Sequence, residues 1–251
     1  MYRTTLLTLL YSGLASAAAS PVDWDTAVGK ANDLLAELIL DDKTAVVTGA
    51  NQLTGLGCIG SIGAIPRLNL SGICYSDGSS GVNRADITSV FPAGLTAAAT
   101  WEGFSPDPYL TGIGMDRSIR GLQSTGVQAI AKHFIGNEQE TQRTNVTLPD
   151  GSNIDAVSSN MDDRTLHELY LWPFIDAVNA KPAAVLCSYN RFNQTYTCEH
   201  SKLLTGILRE ELGFEGYTVS DWYATHSTAA SINAGLDLEM PGTTVPGQGV
   251  S

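Results

Sequence analysis

Positive charge is scarce in this 251-residue chain: 14 lysines and arginines stand against 26 aspartates and glutamates, a net charge of -12. A nucleic-acid partner would want a basic stripe, so that class is excluded. Long apolar runs are scarce too. Beyond the first twenty residues nothing reaches the length of a membrane-crossing helix, and no membrane partner is expected. Cysteines number 4, with no Cys-x-x-Cys pair, so a thiolate metal site has no support. No Gly-x-Gly-x-x-Gly turn opens a helix, the signal that a dinucleotide-binding open sheet would give. Repeats and low-complexity tracts are missing, and no cofactor is implied.

What is present begins with a leader. Arg3 supplies a positive start, Leu6 to Leu10 an apolar core, and Ala15 to Ala19 small residues for a peptidase. Residues 1–19 therefore read as a signal peptide, and residues 20–251 as one secreted, extracellular domain. Secretion makes the cysteines readable as disulfides. Three pairings exist; the local one joins Cys58 to Cys74 and Cys187 to Cys198, closing two short loops. Asn69, Asn145 and Asn193 each open a glycosylation sequon.

Helical periodicity marks residues 25–40, 109–124, 164–179, 201–212 and 224–234, with a short helix near 44–48. Between them, residues 72–75, 127–134, 183–189, 217–219 and 235–241 have the composition of strands. Residues 141–160 are polar and irregular. Such alternation is the signature of a parallel α/β fold, and with no Gly-x-Gly-x-x-Gly turn opening a helix a (β/α)8 barrel is favoured over an open sheet. The strand ends carry the chemistry in such folds. Here they carry Asp77, Lys132, His133, Tyr189, Asp221 and Trp222.

Four of them have plainer explanations, a lone lysine being usually solvated and a lone histidine usually structural. Asp221 sits ahead of a helix, where aspartate is a common cap. Asp77 precedes a glycine, as in an Asx-turn. Lys132 and His133 point to opposite faces of a regular strand. Taken together, however, acids, cationic donors and an indole suit a sugar ring, whose hydroxyls want carboxylates and whose face stacks on an aromatic. A carboxylate can attack the anomeric carbon, with a second carboxyl about 5 Å away in a retaining enzyme. Schiff-base chemistry at Lys132 is the competing scheme; neighbouring acids disfavour the desolvated amine it needs.

Several stretches resemble fungal β-glucosidases of glycoside hydrolase family 3. They are Trp101-Glu102-Gly103-Phe104-Ser105-Pro106-Asp107-Pro108, Lys132-His133-Phe134-Ile135-Gly136-Asn137-Glu138-Gln139-Glu140, Asp163-Arg164-Thr165-Leu166-His167-Glu168-Leu169-Tyr170, Cys187-Ser188-Tyr189-Asn190 and Ser220-Asp221-Trp222. The resemblance covers about residues 27–242. It implies the barrel followed by an α/β sandwich domain. It also implies retaining hydrolysis that releases β-D-glucose from the non-reducing ends of cellobiose and short β-glucans, with no metal. Asp221 matches the nucleophile, Trp222 the platform beside it, and Tyr189 a tyrosine near the nucleophile. Asp77, Lys132 and His133 match the groups that grip glucose hydroxyls.

Three departures temper this. Asn83 stands where the family has a sugar-contacting arginine, unless Arg84 takes the place. Thr100-Trp101-Glu102 fuses two motifs that family members separate, so a βα unit of roughly 30 residues is expected to be missing. No glutamate matches the family's acid/base, and the sandwich domain that carries it is not expected within these 251 residues. A partial barrel with impaired activity on cellobiose is therefore expected. The alternative is a non-catalytic sugar-binding remnant, or an incomplete reading of the gene.

Overall fold

Residues 23–49, 58–78 and 104–242 are described by the computed structural model of the chain. The leader, the turn with Asn83 and Arg84, and the junction at Thr100-Trp101 lie outside them.

Residues 217–220 show how the sheet is built. β-branched and aromatic side chains alternate over Tyr217–Ser220 (β5), and glycine precedes them. This strand pairs in parallel with Ala184–Cys187 (β4), which pairs in parallel with Ile130–Phe134 (β3). Single parallel bridges continue the arc, from Val219 to Leu238 and from Glu239 to Thr48. Residues 235–241 thus join the sheet by bridges rather than as a full strand. Parallel neighbours require helical crossovers, and helices do intervene. Pro108–Gln123 precedes β3, Trp172–Asn179 precedes β4, and Lys202–Glu211, wound with π-type spacing, precedes β5. The described strands form an open α/β arc, with no closed ring among them.

Alternation sorts the side chains into two layers. Ala131, Phe134, Val185 and Cys187 face the helices, where Leu166, Leu171, Phe174, Leu203, Leu204 and Leu208 bury against them. Phe134 meets Phe174 edge to face at 5.0 Å. Ile130, Ala184, Leu186, Tyr217 and Val219 face the other way, onto a hairpin of Gly60–Ile62 (β1) and Ile73–Tyr75 (β2). That hairpin supplies Ile62, Ile73 and Tyr75, and Tyr75 and Tyr217 share a hydroxyl contact of 3.1 Å.

Caps fix the helix starts. Asp23, Asp107 and Asp162 accept backbone N–H groups at the first helix (Trp24–Glu37), at Pro108–Gln123 and at Asp163–Thr165. The second helix runs over Leu40–Val47, earlier than its periodicity places it. The polar 141–160 stretch is less irregular than its composition suggests. Val146–Thr147 pairs with Asn153–Ile154, and Ser158–Ser159 pairs with Arg191–Phe192. Both pairings are two residues long, too short for a periodic signal. Disulfides join Cys58 to Cys74 and Cys187 to Cys198, with Cα atoms 5.4 and 5.3 Å apart.

Candidate active site

Asp221 follows directly on β5. Its amide donates to the Cys187 carbonyl at 3.2 Å, extending the parallel ladder one residue past the strand. Period two then puts its side chain on the face of Tyr217 and Val219, at the carboxyl end. It is no helix cap: the next helix, Thr228–Ala234, is capped by Ser227, six residues on.

Both oxygens of Asp221 are held. Tyr189 donates its hydroxyl to Oδ1 at 3.0 Å, and the Trp222 amide donates to the same oxygen at 2.6 Å. His133 Nε2 lies 3.2 Å from Oδ2. The Asp221 side chain is 16% exposed, enough for a ligand to touch and little enough to be partly dry. Burial pushes its carboxyl upward, but the His133 hydrogen bond and charge, the Trp222 amide and the Lys132 charge outweigh that. The net effect holds Asp221 below the usual carboxylate range, hence ionised. Burial, followed by the charge and hydrogen bond of Asp221, pushes the Tyr189 phenol well above its ordinary value, so it stays a donor.

Lys132 Nζ bonds Asp77 Oδ1 at 2.5 Å, an exposed pair that contributes little to stability. Regular alternation would send Lys132 and His133 to opposite faces. Instead the pairing register shifts between Ala131 and Phe134. His133 reaches Asp221, and the charge of Lys132 is felt there as well. Asp77, Lys132, His133, Tyr189 and Asp221 are thus linked in one cluster. Trp222 follows Asp221 with its indole packed into the second apolar layer against Gly60: a Cβ there would come within 3.0 Å of the ring.

Tyr189 is fixed from both sides. Ser188 donates its amide to the Phe134 carbonyl at 2.9 Å, and Asn190 Nδ2 donates to the Ile135 carbonyl at 3.2 Å. Thr197 donates to the Ser188 carbonyl at 2.5 Å beside the Cys187–Cys198 bridge. The residue patterns gave no hint of Arg143, whose guanidinium stacks 4.1 Å over the Tyr189 ring. It sits in a polar stretch without periodicity, and an ion pair with Glu140 orients it. A separate cavity of about 240 Å³, lined by Gly136, Asn137, Ser159, Tyr170 and Asn190, contains none of the clustered residues. Among the described residues no His, Cys, Asp and Glu cluster converges as metal ligands would. Asn69, Asn145 and Asn193 are all exposed.

Parallel strands between helices, with a held carboxylate at one strand's carboxyl end, define an α/β protein with a strand-end site. The glycosyl hydrolase family 3 N terminal domain matches residues 93–246, and the chain belongs to that family. It is similar to probable beta-glucosidase G of Aspergillus flavus, 46% identical over 265 residues that cover 87% of this chain and 32% of that protein. Among solved structures it resembles the Chaetomium thermophilum beta-glucosidase (41% identity, TM-score 0.80, 88% of this chain and 31% of that one). A family 3 beta-glucosidase from Neurospora crassa matches as well (41%, TM-score 0.80, 88% and 32%). The chain spans about a third of the length of the curated relatives it matches. The aligned stretch of 265 residues exceeds the chain's own 251, so part of it has no counterpart here.

Proposed function

We propose that the chain is a retaining β-glucosidase-type glycoside hydrolase, acting on the non-reducing ends of β-glucosides such as cellobiose and short β-glucans. The observation that carries this is the ionised Asp221 carboxylate, held by Tyr189, His133 and the Trp222 amide. A carboxylate so placed is a nucleophile for the anomeric carbon. The bond from Asp221 to C1 forms as the bond from C1 to the leaving oxygen breaks, and water later releases glucose. Asp77, Lys132 and His133 grip the ring hydroxyls, and Trp222 lies beneath the ring. Similarity to the fungal beta-glucosidases supports the β-glucoside preference.

The arc is read as part of an incomplete (β/α)8-type barrel. The unmatched part of the alignment supports a missing segment, and the fused motifs at Thr100-Trp101-Glu102 are where this reading puts it. Residues 1–19 remain a signal peptide in this reading, with secretion, and Asn69, Asn145 and Asn193 remain glycosylation sites. Where no acid protonates the leaving oxygen, an alkoxide leaves about 10²–10⁴-fold more slowly, so the assay of these 251 residues pairs an activated glucoside with cellobiose. The expected outcome is turnover of a dinitrophenyl β-glucoside, whose phenolate needs no proton, with little on cellobiose. No turnover of either, together with glucose binding seen in Trp fluorescence, would favour the sugar-binding remnant instead.

A further inference from the structure

We propose that Arg143 is a positioning residue for Asp221, acting through Tyr189. Its guanidinium covers the Tyr189 ring at 4.1 Å, and the hydroxyl of that ring donates to Asp221 Oδ1 at 3.0 Å. Glu140 orients the guanidinium through two contacts, Nε to Oε2 at 2.9 Å and Nη1 to Oε1 at 3.2 Å. A doubly anchored fork holds a plane where a single contact would leave it free to swing. Arg143 is one-third exposed, so the stack is partly desolvated, the setting in which cation–π contacts count for more. The backbone bonds around Ser188 and Asn190 fix the Tyr189 main chain, and its ring packs against the buried core. Arg143 adds a cover over the ring face. With the ring clamped, the hydroxyl stays on Asp221 and helps keep the carboxylate ionised and aimed.

This rests on Asp221 being the reacting group, and the test separates the two ideas. Aspartate enriched in carbon-13 reports the Asp221 carboxyl directly, assigned by its loss in Asp221→Asn, and needs no catalysis. Arg143→Met and Tyr189→Phe are each expected to raise its titration midpoint by about half a pH unit. The double variant should shift no further than Tyr189→Phe alone, because Arg143 acts through the Tyr189 hydroxyl. Arg143→Lys keeps the charge and should recover part of the loss, and Glu140→Gln should shift the midpoint in the same direction by less. In the same proteins, labelling of Asp221 by a 2-deoxy-2-fluoro glucoside should slow about tenfold with Arg143→Met. An unchanged midpoint in Arg143→Met, or a shift that adds in full to that of Tyr189→Phe, would overturn the clamp. Absence of label in the unmutated chain would overturn the nucleophile reading, while the titration would still decide the role of Arg143.

Discussion

Asp221 Oδ1 accepts two hydrogen bonds and Oδ2 faces an imidazole, so the carboxylate cannot lose its charge without losing partners. The sign of the pH effect follows. Its folded value lies below the ordinary one. The stabilisation it gives is therefore complete above the unfolded value near 3.8 and is lost as pH falls through the lower folded value. Asp221→Asn should flatten the fall of stability below about pH 4, read as urea midpoints at several pH values. His133→Ala removes the strongest of the contacts that lower the Asp221 carboxyl. The carboxyl should rise toward the ordinary range, and turnover of an activated glucoside should fall roughly 10²-fold. Turnover within twofold of the parent would deny His133 any part in holding the nucleophile.

Local elements carry these side chains, and their stability is separable from the chemistry. The Cys187–Cys198 bridge closes an 11-residue separation directly beside Tyr189. Replacing both cysteines with serine should cost about 3 kcal/mol, measured as a lower denaturant midpoint. Leu204 is fully buried between helix and sheet; Leu204→Ala should cost about 2–5 kcal/mol while leaving the Asp221 contacts in place. The strands that end in Lys132-His133, Tyr189 and Asp221 were legible because β-branched and apolar runs alternate with helical periods. The register shift at Ala131–Phe134 was not legible, since backbone irregularity leaves no mark on the order of side-chain types. Nor was Ser227 as the cap, because Asp221 offered a closer one. Arg143 stayed hidden for a simpler reason. Its stack is on a residue 46 positions away, a contact set by tertiary packing.

At the scale of the molecule, the described residues make an arc of parallel strands with helices on one face and a hairpin on the other. The α/β class could be read from the strand and helix order; ring closure could not, because it depends on pairings between distant segments. A net charge of -12 keeps such a chain soluble at neutral pH. Near its isoelectric point of about 4.6 that protection vanishes, so light scattering should peak there and fall on either side. The most direct measurement is peptide mapping by mass spectrometry after exposure to a dinitrophenyl 2-deoxy-2-fluoro-β-glucoside. A fluoroglucosyl adduct confined to Asp221, and missing from Asp221→Asn, is the expected result. An adduct on another carboxylate, or none on a folded chain, would contradict Asp221 as the nucleophile.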